Sequence, residues 1–193
     1  LPAGLEEVPE HSFSHCMALR SVGFRGGSAL RAIGAGAFAW TALEDFSAPP
    51  ELREIGMESF YGCRSLRNAR LNEGLEALGK FQDGNYRGIF SGMQVQYVAL
   101  PSTLRTIGNR VFYECKKLRR VTFREGSALK KIGEEAFCGC TRLRDISLPE
   151  GLELVGKKCF CMCGLEEIAI PNCVMTLEDD VLSYCRGLKR VMF

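Results

Sequence analysis

The feature that most constrains the fold is a segment that recurs eight times along the 193 residues of the chain. In each copy, a leucine or valine is followed three positions later by another aliphatic residue, and then by a phenylalanine or, in the last copy, by Leu182. Each copy closes with a segment of the form L-x-x-V-x-F. The copies are anchored at Leu5, Leu30, Leu52, Leu75, Leu104, Leu129, Leu152 and Val174. A period of about 23 residues predicts a solenoid in which each copy forms one coil.

The closing segment of each copy has the alternation of a β-strand. Val121 and Phe123, for example, lie two positions apart, so both side chains lie on one face of the strand. Stacked about 4.7–4.9 Å apart, these strands would form a parallel β-sheet on the concave face. The phenylalanines would stack into an aromatic spine within short helical or irregular turns on the convex face. Since no coil buries its apolar face alone, we predict an α/β solenoid of about eight turns with one continuous core.

The full motif, L-P-x-x-L-x-x-I-G-x-x-A-F-x-x-C-x-x-L-x-x-I-x-L, resembles the BspA-type leucine-rich repeat, also called the Treponema-type. The resemblance covers residues 1–193, and Leu100-Pro101 and Leu148-Pro149 carry its characteristic junction. It implies a leucine-rich-repeat fold and a surface or interaction protein. It also implies that the repeat itself has no catalytic activity.

The domain organisation follows from the phase of the repeat. We expect residues 1–193 to form a single leucine-rich-repeat domain, and the lack of a starting methionine favours a segment of a longer protein. The fourth copy carries an insertion at 80–90, because twelve positions separate Leu78 from Phe90 where five separate the equivalent residues of the first copy. This insertion is either a tolerated surface loop or a binding loop that presents Phe81 and Tyr86.

The cysteines favour free thiols in a packed core. Of the ten, six take one repeat position, three residues after the phenylalanine: Cys16, Cys63, Cys115, Cys140, Cys163 and Cys185. A small, weakly polar side chain suits a buried position of this kind. Free thiols favour an intracellular location, with the cell surface or secretion as the alternative. An oxidised chain could instead join Cys138 to Cys161 on neighbouring coils.

No residue pattern indicates an enzyme, a metal site or a cofactor. The two histidines, His11 and His15, both lie in the first copy, and the cysteines pair as C-x-C rather than at the spacing of zinc ligands. The glycine-rich stretches lack the lysine and hydroxyl of a phosphate-binding loop, so a small-molecule ligand is not expected. No membrane-spanning segment is evident.

The charge of the chain is balanced, with 25 basic against 23 acidic residues and a net charge of +2. This balance argues against a general nucleic-acid binder. Locally the fifth copy is basic and the seventh acidic, which is typical of solvated faces. The basic run, which could alternatively dock an acidic partner or an anionic lipid surface, comprises Lys116, Lys117, Arg119, Arg120, Arg124, Lys130 and Lys131.

A protein partner is expected to contact the outward positions of the closing strands or the 80–90 loop. On the strands, we predict Arg70, Tyr97, Arg120 and Asp145 as contact residues, with Tyr97 as a central aromatic anchor. The predicted function is a non-enzymatic protein–protein interaction scaffold or assembly module. The alternatives are a cell-surface adhesion or recognition segment, and a regulatory repeat fused to an enzyme outside this segment.

Overall fold

A computed structural model, which describes residues 1–79 and 87–193, confirms the solenoid of parallel strands. Each coil contributes a two-residue strand at the aliphatic position of the motif. With the strands numbered in chain order, these are β1 (Glu7–Val8), β2 (Ala32–Ile33), β4 (Glu54–Ile55), β6 (Ala77–Leu78), β8 (Thr106–Ile107), β10 (Lys131–Ile132), β11 (Leu154–Val155) and β13 (Thr176–Leu177). They form one eight-stranded parallel sheet in the order of the coils, with the equivalent residues of neighbouring coils in register.

The closing segments form a second line of strands along the solenoid. These strands are β3 (Asp45–Ser47), β5 (Asn68–Arg70), β7 (Tyr97–Leu100), β9 (Arg120–Phe123), β12 (Glu167–Ala169) and β14 (Arg190–Met192). They pair as three parallel two-stranded sheets, β3 with β5, β7 with β9 and β12 with β14, and a single bridge joins Ser147 to Ala169. The predicted parallel pairing is therefore present here, but the continuous sheet lies at the aliphatic position.

Close backbone approach explains why the continuous sheet lies there. A glycine follows the aliphatic residue in most copies. A Cβ added to Gly156 would lie 2.6 Å from the carbonyl carbon of Gly133 in the preceding coil, and one added to Gly34 would lie 2.6 Å from the amide nitrogen of Glu10. The glycines thus let neighbouring backbones meet closely along this line.

The phenylalanine side of each coil contains turns rather than helices, and the described residues contain no helix at all. In the sixth coil, the amides of Glu135, Phe137 and Gly139 donate to carbonyls of the seventh coil at 2.8–2.9 Å. The intervening amides donate three residues back within their own coil. An α-helix would direct all of these amides four residues back along one segment, so the bonds between coils exclude it.

Left-handed backbone conformations make these turns possible. They occur two residues before and two residues after the phenylalanine position. In the described part of the chain, all non-glycine residues of positive φ lie at these two positions: His11, His15, Trp40, Glu58, Arg110, Glu114, Glu135, Lys158, Met162, Asp180 and Tyr184. Such a conformation costs about 1–3 kcal/mol for a non-glycine residue. In eight of these eleven residues, all except Glu58, Asp180 and Tyr184, the amide donates to a carbonyl of the next coil, and this bond stabilises the conformation.

We call the line of amide hydrogen bonds between the turns of neighbouring coils the turn ladder. Among the described residues it is interrupted between the third and fourth coils. The inter-coil amide bonds recur at the other boundaries, but between the third and fourth coils the described residues show none of them. Closing strands β5 and β7 are also unpaired across this boundary. The amide of Arg87 instead donates to the carboxylate of Glu58 at 2.9 Å. The 80–90 insertion enters here, and the residues up to Tyr86 lie outside those that the structure describes.

The predicted aromatic spine is confirmed. Stacked rings run through seven coils with centroids 5.2–5.6 Å apart. The rings belong to Phe13, Phe38, Phe60, Phe90, Phe112, Phe137 and Phe160. Six of the seven are fully buried, and the surrounding leucines, valines and isoleucines form one core along the solenoid.

The cysteine column lies beside this spine, and all ten cysteines are free thiols. The Sγ of Cys115 donates to the carbonyl of Phe90 in the preceding coil at 3.0 Å, and Cys140 and Cys163 make the same contact with their preceding coils at 3.1–3.2 Å. In the second coil, Thr41 occupies this position and its hydroxyl donates to the carbonyl of Phe38 at 2.9 Å. In the fourth coil Met93, which has no donor, takes this position and is 2% exposed, so a hydrogen-bond donor is common here but not required.

Burial of the cysteine thiols should make the protein less stable at alkaline pH. Burial raises the pKa of Cys115 from 9.0 to about 12. Between these values the unfolded chain has released the thiol proton while the folded chain retains it, so raising the pH favours unfolding by about 1.4 kcal/mol per pH unit for each such thiol. We expect Cys115→Thr to make the decline of unfolding free energy above pH 9 shallower by up to this amount. Urea unfolding under reducing conditions at pH 8, 9, 10 and 10.5 measures it.

The matched control for this prediction is Cys16→Thr. Cys16 takes the same repeat position in the first coil but is exposed, so its replacement should leave the pH slope unchanged. Equal slopes for the wild type and Cys115→Thr would contradict the assigned role of burial.

Candidate partner-binding surface

The closing segments present an open surface, which we call the strand face. Alternate residues of each segment are buried in the core and exposed to solvent, as the pattern of β3 and β7 shows. One exposed column comprises Ser21, Asp45, Asn68, Tyr97, Arg120, Asp145, Glu167 and Arg190, and a second lies two residues further along each segment. The second column contains small residues such as Ala99, Ser147 and Ala169, so that a partner backbone can approach it closely.

The four contact residues predicted on the strands are all exposed, but they do not form one cluster. Tyr97 and Arg120 begin β7 and β9 and are paired in register, so their side chains lie next to each other. Asp145 lies one coil beyond Arg120 in the same column. Arg70 lies in the second column, opposite Ser47. Phe81 and Tyr86 of the predicted insertion loop lie outside the described residues.

Tyr97 is the most prominent side chain in the middle of the strand face. It is 61% exposed, whereas Val98, the next residue, is buried. With Asn68 and Arg67 it lines a shallow depression of about 620 Å³. A large aromatic side chain in this setting can bury substantial area at low entropic cost when a partner binds.

Ion pairs between coils neutralise the C-terminal end of the strand face. Glu166 lies between Lys189 at 3.0 Å and Arg144 at 3.5 Å. The hydrogen bond and the charge of Lys189 lower the pKa of Glu166 below its ordinary value. Beside it, Arg190 forms an ion pair with Glu167, and this carboxylate raises the pKa of the guanidinium.

Basic side chains concentrate between the two ends of the strand face, along one border. They lie immediately beside the buried leucine that begins each closing segment, or two residues before it. We name this set the basic edge: Arg64, Arg67, Lys117, Arg119, Arg142 and Arg144. Sequence reasoning missed it as a unit, although aligning the third, fifth and sixth copies on Leu66, Leu118 and Leu143 would have brought these cations together.

The basic run predicted in the fifth copy is dispersed by the fold. Arg124 pairs with Glu73 at 3.0 Å, and Lys130 pairs with Glu153 at 2.8 Å. Lys116 pairs with Glu114 at 3.3 Å. The remaining members with an exposed charge on the strand side are Lys117, Arg119 and Arg120.

A second depression lies beside the eight-stranded sheet in the first three coils. It has a volume of about 520 Å³, and its polar lining includes His11 and the carboxylates of Glu7, Glu10, Glu54 and Glu58. Within the described ranges, no three histidine, cysteine or acidic side chains lie close enough together to hold a metal ion. His15 does not line this depression; it stacks on Trp40 with ring centroids 6.0 Å apart.

The alternative cysteine pair consists of side chains that touch but are not bonded. Cys138 and Cys161 lie in equivalent positions on the sixth and seventh coils and are hydrogen-bonded thiols, 2% and 3% exposed. Burial, together with the neighbouring Cys161, raises the pKa of Cys138 to about 12. A thiol of this kind is a poor nucleophile at neutral pH because little thiolate is present.

Parallel strands in register, a core of stacked phenylalanines and an open strand face define a leucine-rich-repeat solenoid. The chain belongs to the BspA-type leucine-rich-repeat family. The sequence pattern of that family, described as a BspA type leucine rich repeat region, matches residues 1–82 and 86–190 in six copies. No curated protein matches the chain in sequence.

Several solved bacterial structures share this fold. A leucine-rich repeat protein from Eubacterium ventriosum has a TM-score of 0.65 at 21% identity, over 100% of this chain and 58% of its own. The pneumococcal vaccine antigen PcpA has a TM-score of 0.61 at 20% identity, over 98% of this chain and 60% of its own. A leucine rich cell surface protein from Faecalibacterium prausnitzii has a TM-score of 0.50 at 16% identity, over 97% and 70%. The chain thus spans about 60% of the length of the first two.

Among the described residues, no helix has the length and apolar character required to cross a membrane.

Proposed function

We propose that this chain is a non-enzymatic protein–protein interaction scaffold that binds its partner through the strand face. The observation that carries the proposal is Tyr97, which is 61% exposed at the middle of the face and lies next to Arg120. Tyrosine and arginine are over-represented among the residues that contribute most binding energy at interfaces. Membership of the leucine-rich-repeat family supports a protein-interaction module.

The architecture supplies a rigid platform for such an interface. The core fixes the inner residues of each closing segment, so the exposed columns are held at the spacing between coils. Seven steps of about 4.8 Å give a face roughly 34 Å long. This length accommodates an interface of ordinary size, about 800 Å² on each partner. A pre-organised surface loses little entropy on binding.

Site-specific photo-crosslinking tests the proposal. A benzophenone amino acid replaces Tyr97 in the protein expressed in its native cells, and adducts are identified by mass spectrometry after irradiation. The control carries the same amino acid at Tyr184, which is 74% exposed but lies on the turn side of the last coil. We expect a discrete protein adduct of fixed stoichiometry from position 97 and none from position 184.

Two outcomes contradict the proposal. If position 97 gives no adduct, the strand face does not bind a partner in the cell. If positions 97 and 184 give the same adducts, the capture reflects exposure rather than a specific surface.

A cell-surface adhesion or recognition segment is the second candidate function. It is favoured by the Faecalibacterium prausnitzii structure, whose protein is described as a leucine rich cell surface protein. The buried free thiols favour the intracellular scaffold instead, because thiols persist in reducing compartments. Fractionation of the same cells decides between them. Recovery of the chain outside the membrane, with no co-purifying intracellular protein, would replace the scaffold by the adhesion segment.

A further inference from the structure

We propose that the basic edge binds a short acidic segment of the partner protein. This inference deepens the proposed function and depends on it, because it names the chemistry of the partner at the strand face. The surface is formed by coils three to six and includes the depression beside Tyr97.

The first observation is the composition of two neighbouring depressions on this border. One is lined by Arg64, Arg67 and Lys117 together with neutral polar residues and Tyr97. The other is lined by Arg119, Arg142 and Arg144 and has a volume of about 570 Å³. No acidic residue lines either depression. Cationic side chains that converge on a concave surface attract and orient carboxylates.

The second observation is the lack of neutralising partners within the protein. Among the described residues, Arg67, Lys117, Arg119 and Arg142 have no carboxylate within ion-pair distance, whereas Lys130 and Arg124 elsewhere do. Arg144 is the exception on the basic edge, with Glu166 at 3.5 Å. Guanidinium groups that are free to form two parallel hydrogen bonds are well suited to carboxylates.

The third observation limits the length of the ligand. At the position directly after the leucine of each closing segment, acidic residues bracket the basic edge, with Glu44 in the second coil and Glu166 in the seventh. The four coils between them span three steps, or roughly 14 Å, which an extended chain of about four to five residues covers. A longer polyanion would gain only cations that are already paired within the chain, Arg20 with Glu44 and Lys189 with Glu166.

These features favour a polypeptide over a nucleic acid. Single-stranded nucleic acids are bound by a basic groove with successive aromatic side chains on which bases stack. The basic edge offers one exposed aromatic residue, Tyr97, among its described residues. An acidic peptide with one apolar or aromatic residue fits better, because that residue can pack on Tyr97 while its neighbours pair with the cations.

Fluorescence anisotropy with a defined probe tests the inference. The probe is a fluorescein-labelled five-residue peptide of alternating Glu and Asp with one central Leu, at 50 mM NaCl. Its Gln/Asn counterpart and a five-nucleotide single strand of deoxythymidine serve as comparison ligands. We expect the acidic peptide to bind at least tenfold more tightly than either, and to weaken as salt is raised.

Charge reversal locates the site. We expect Arg119→Glu with Arg142→Glu to weaken binding of the acidic peptide at least tenfold. The matched control is Arg31→Glu with Arg105→Glu, which changes the net charge equally at exposed positions preceding strands of the eight-stranded sheet, and should change affinity less than twofold. Both variants are first checked for a wild-type thermal transition. Equal losses in the two variants, or an oligonucleotide that binds as tightly as the peptide, would overturn the inference.

The cross-link at position 97 separates this inference from the proposed function. If the acidic peptide does not bind but the adduct from position 97 persists in cells, the proposal of an interaction scaffold is retained and the proposal of an acidic partner segment is wrong. If both are absent, both proposals fail. If the adduct is lost in Arg119→Glu with Arg142→Glu and retained in the control variant, the native partner uses the basic edge.

Discussion

Replacing Phe112 with alanine is expected to lower the free energy of unfolding by about 3–5 kcal/mol. Phe112 is 1% exposed, and its ring stacks on Phe90 at 5.6 Å and on Phe137 at 5.2 Å. Truncation removes both contacts and leaves a cavity in the middle of the stack. Neighbouring coils cannot close this cavity readily because backbone bonds to the sixth coil hold their spacing. Urea unfolding followed by circular dichroism measures the loss.

Tyr184→Ala is the control for this prediction. It removes a side chain of similar size from a position that is 74% exposed, so its cost should stay below about 1 kcal/mol. Similar losses in the two variants would mean that the phenylalanine stack does not provide the stability assigned to it.

The second large effect is expected for Gly156→Ala. A methyl group here would lie 2.6–2.7 Å from the carbonyl carbon of Gly133 and the amide nitrogen of Glu134, which are backbone atoms that no rotamer change can move. Relief requires the sixth and seventh coils to separate next to β10 and β11. Overpacking of this kind costs about 1–3 kcal/mol. A lower midpoint in thermal unfolding is the expected result.

Gly26→Ala provides the matched control, since no atom lies within 4 Å of the added methyl group and the residue does not have a positive φ. Its expected effect is zero or a small stabilisation, because alanine reduces the freedom of the unfolded chain. If Gly156→Ala is as stable as the wild type, the sixth and seventh coils can separate next to Gly156 without loss of unfolding free energy.

The repeat determines much of what could be predicted from the sequence. The phenylalanine spine follows from the spacing alone, because equivalent positions of successive coils must stack. The location of the continuous sheet does not follow in the same way. A two-residue strand such as Ala32–Ile33 is too short to show alternation. The close backbone approach at Gly34 becomes visible only when two coils are placed side by side.

The turns and the candidate site could likewise be predicted only in part from the sequence. The segment around Phe137 has no proline, and its composition suits a helical turn. It forms stacked turns because alternate amides bond to the next coil, and single-segment patterns do not report such bonds. Tyr97 and Arg120 could be placed together from the register. The basic edge could not be found from the basic run of the fifth copy, because Arg124 and Lys130 of that run pair with acids elsewhere.

The interrupted ladder between the third and fourth coils has a consequence for cooperativity. In a one-dimensional array, stability is approximately the sum of a term for each unit and a coupling term for each neighbouring pair. Among the described residues the turn-side bonds are missing at this boundary, but β4 still pairs with β6 and Phe60 stacks on Phe90. The coupling between the first three coils and the last five is therefore reduced but not absent. Arg67 belongs to the first three coils and Lys117 to the last five, yet both line one depression. A ligand bound there would contact coils on both sides of this boundary and strengthen the reduced coupling between them.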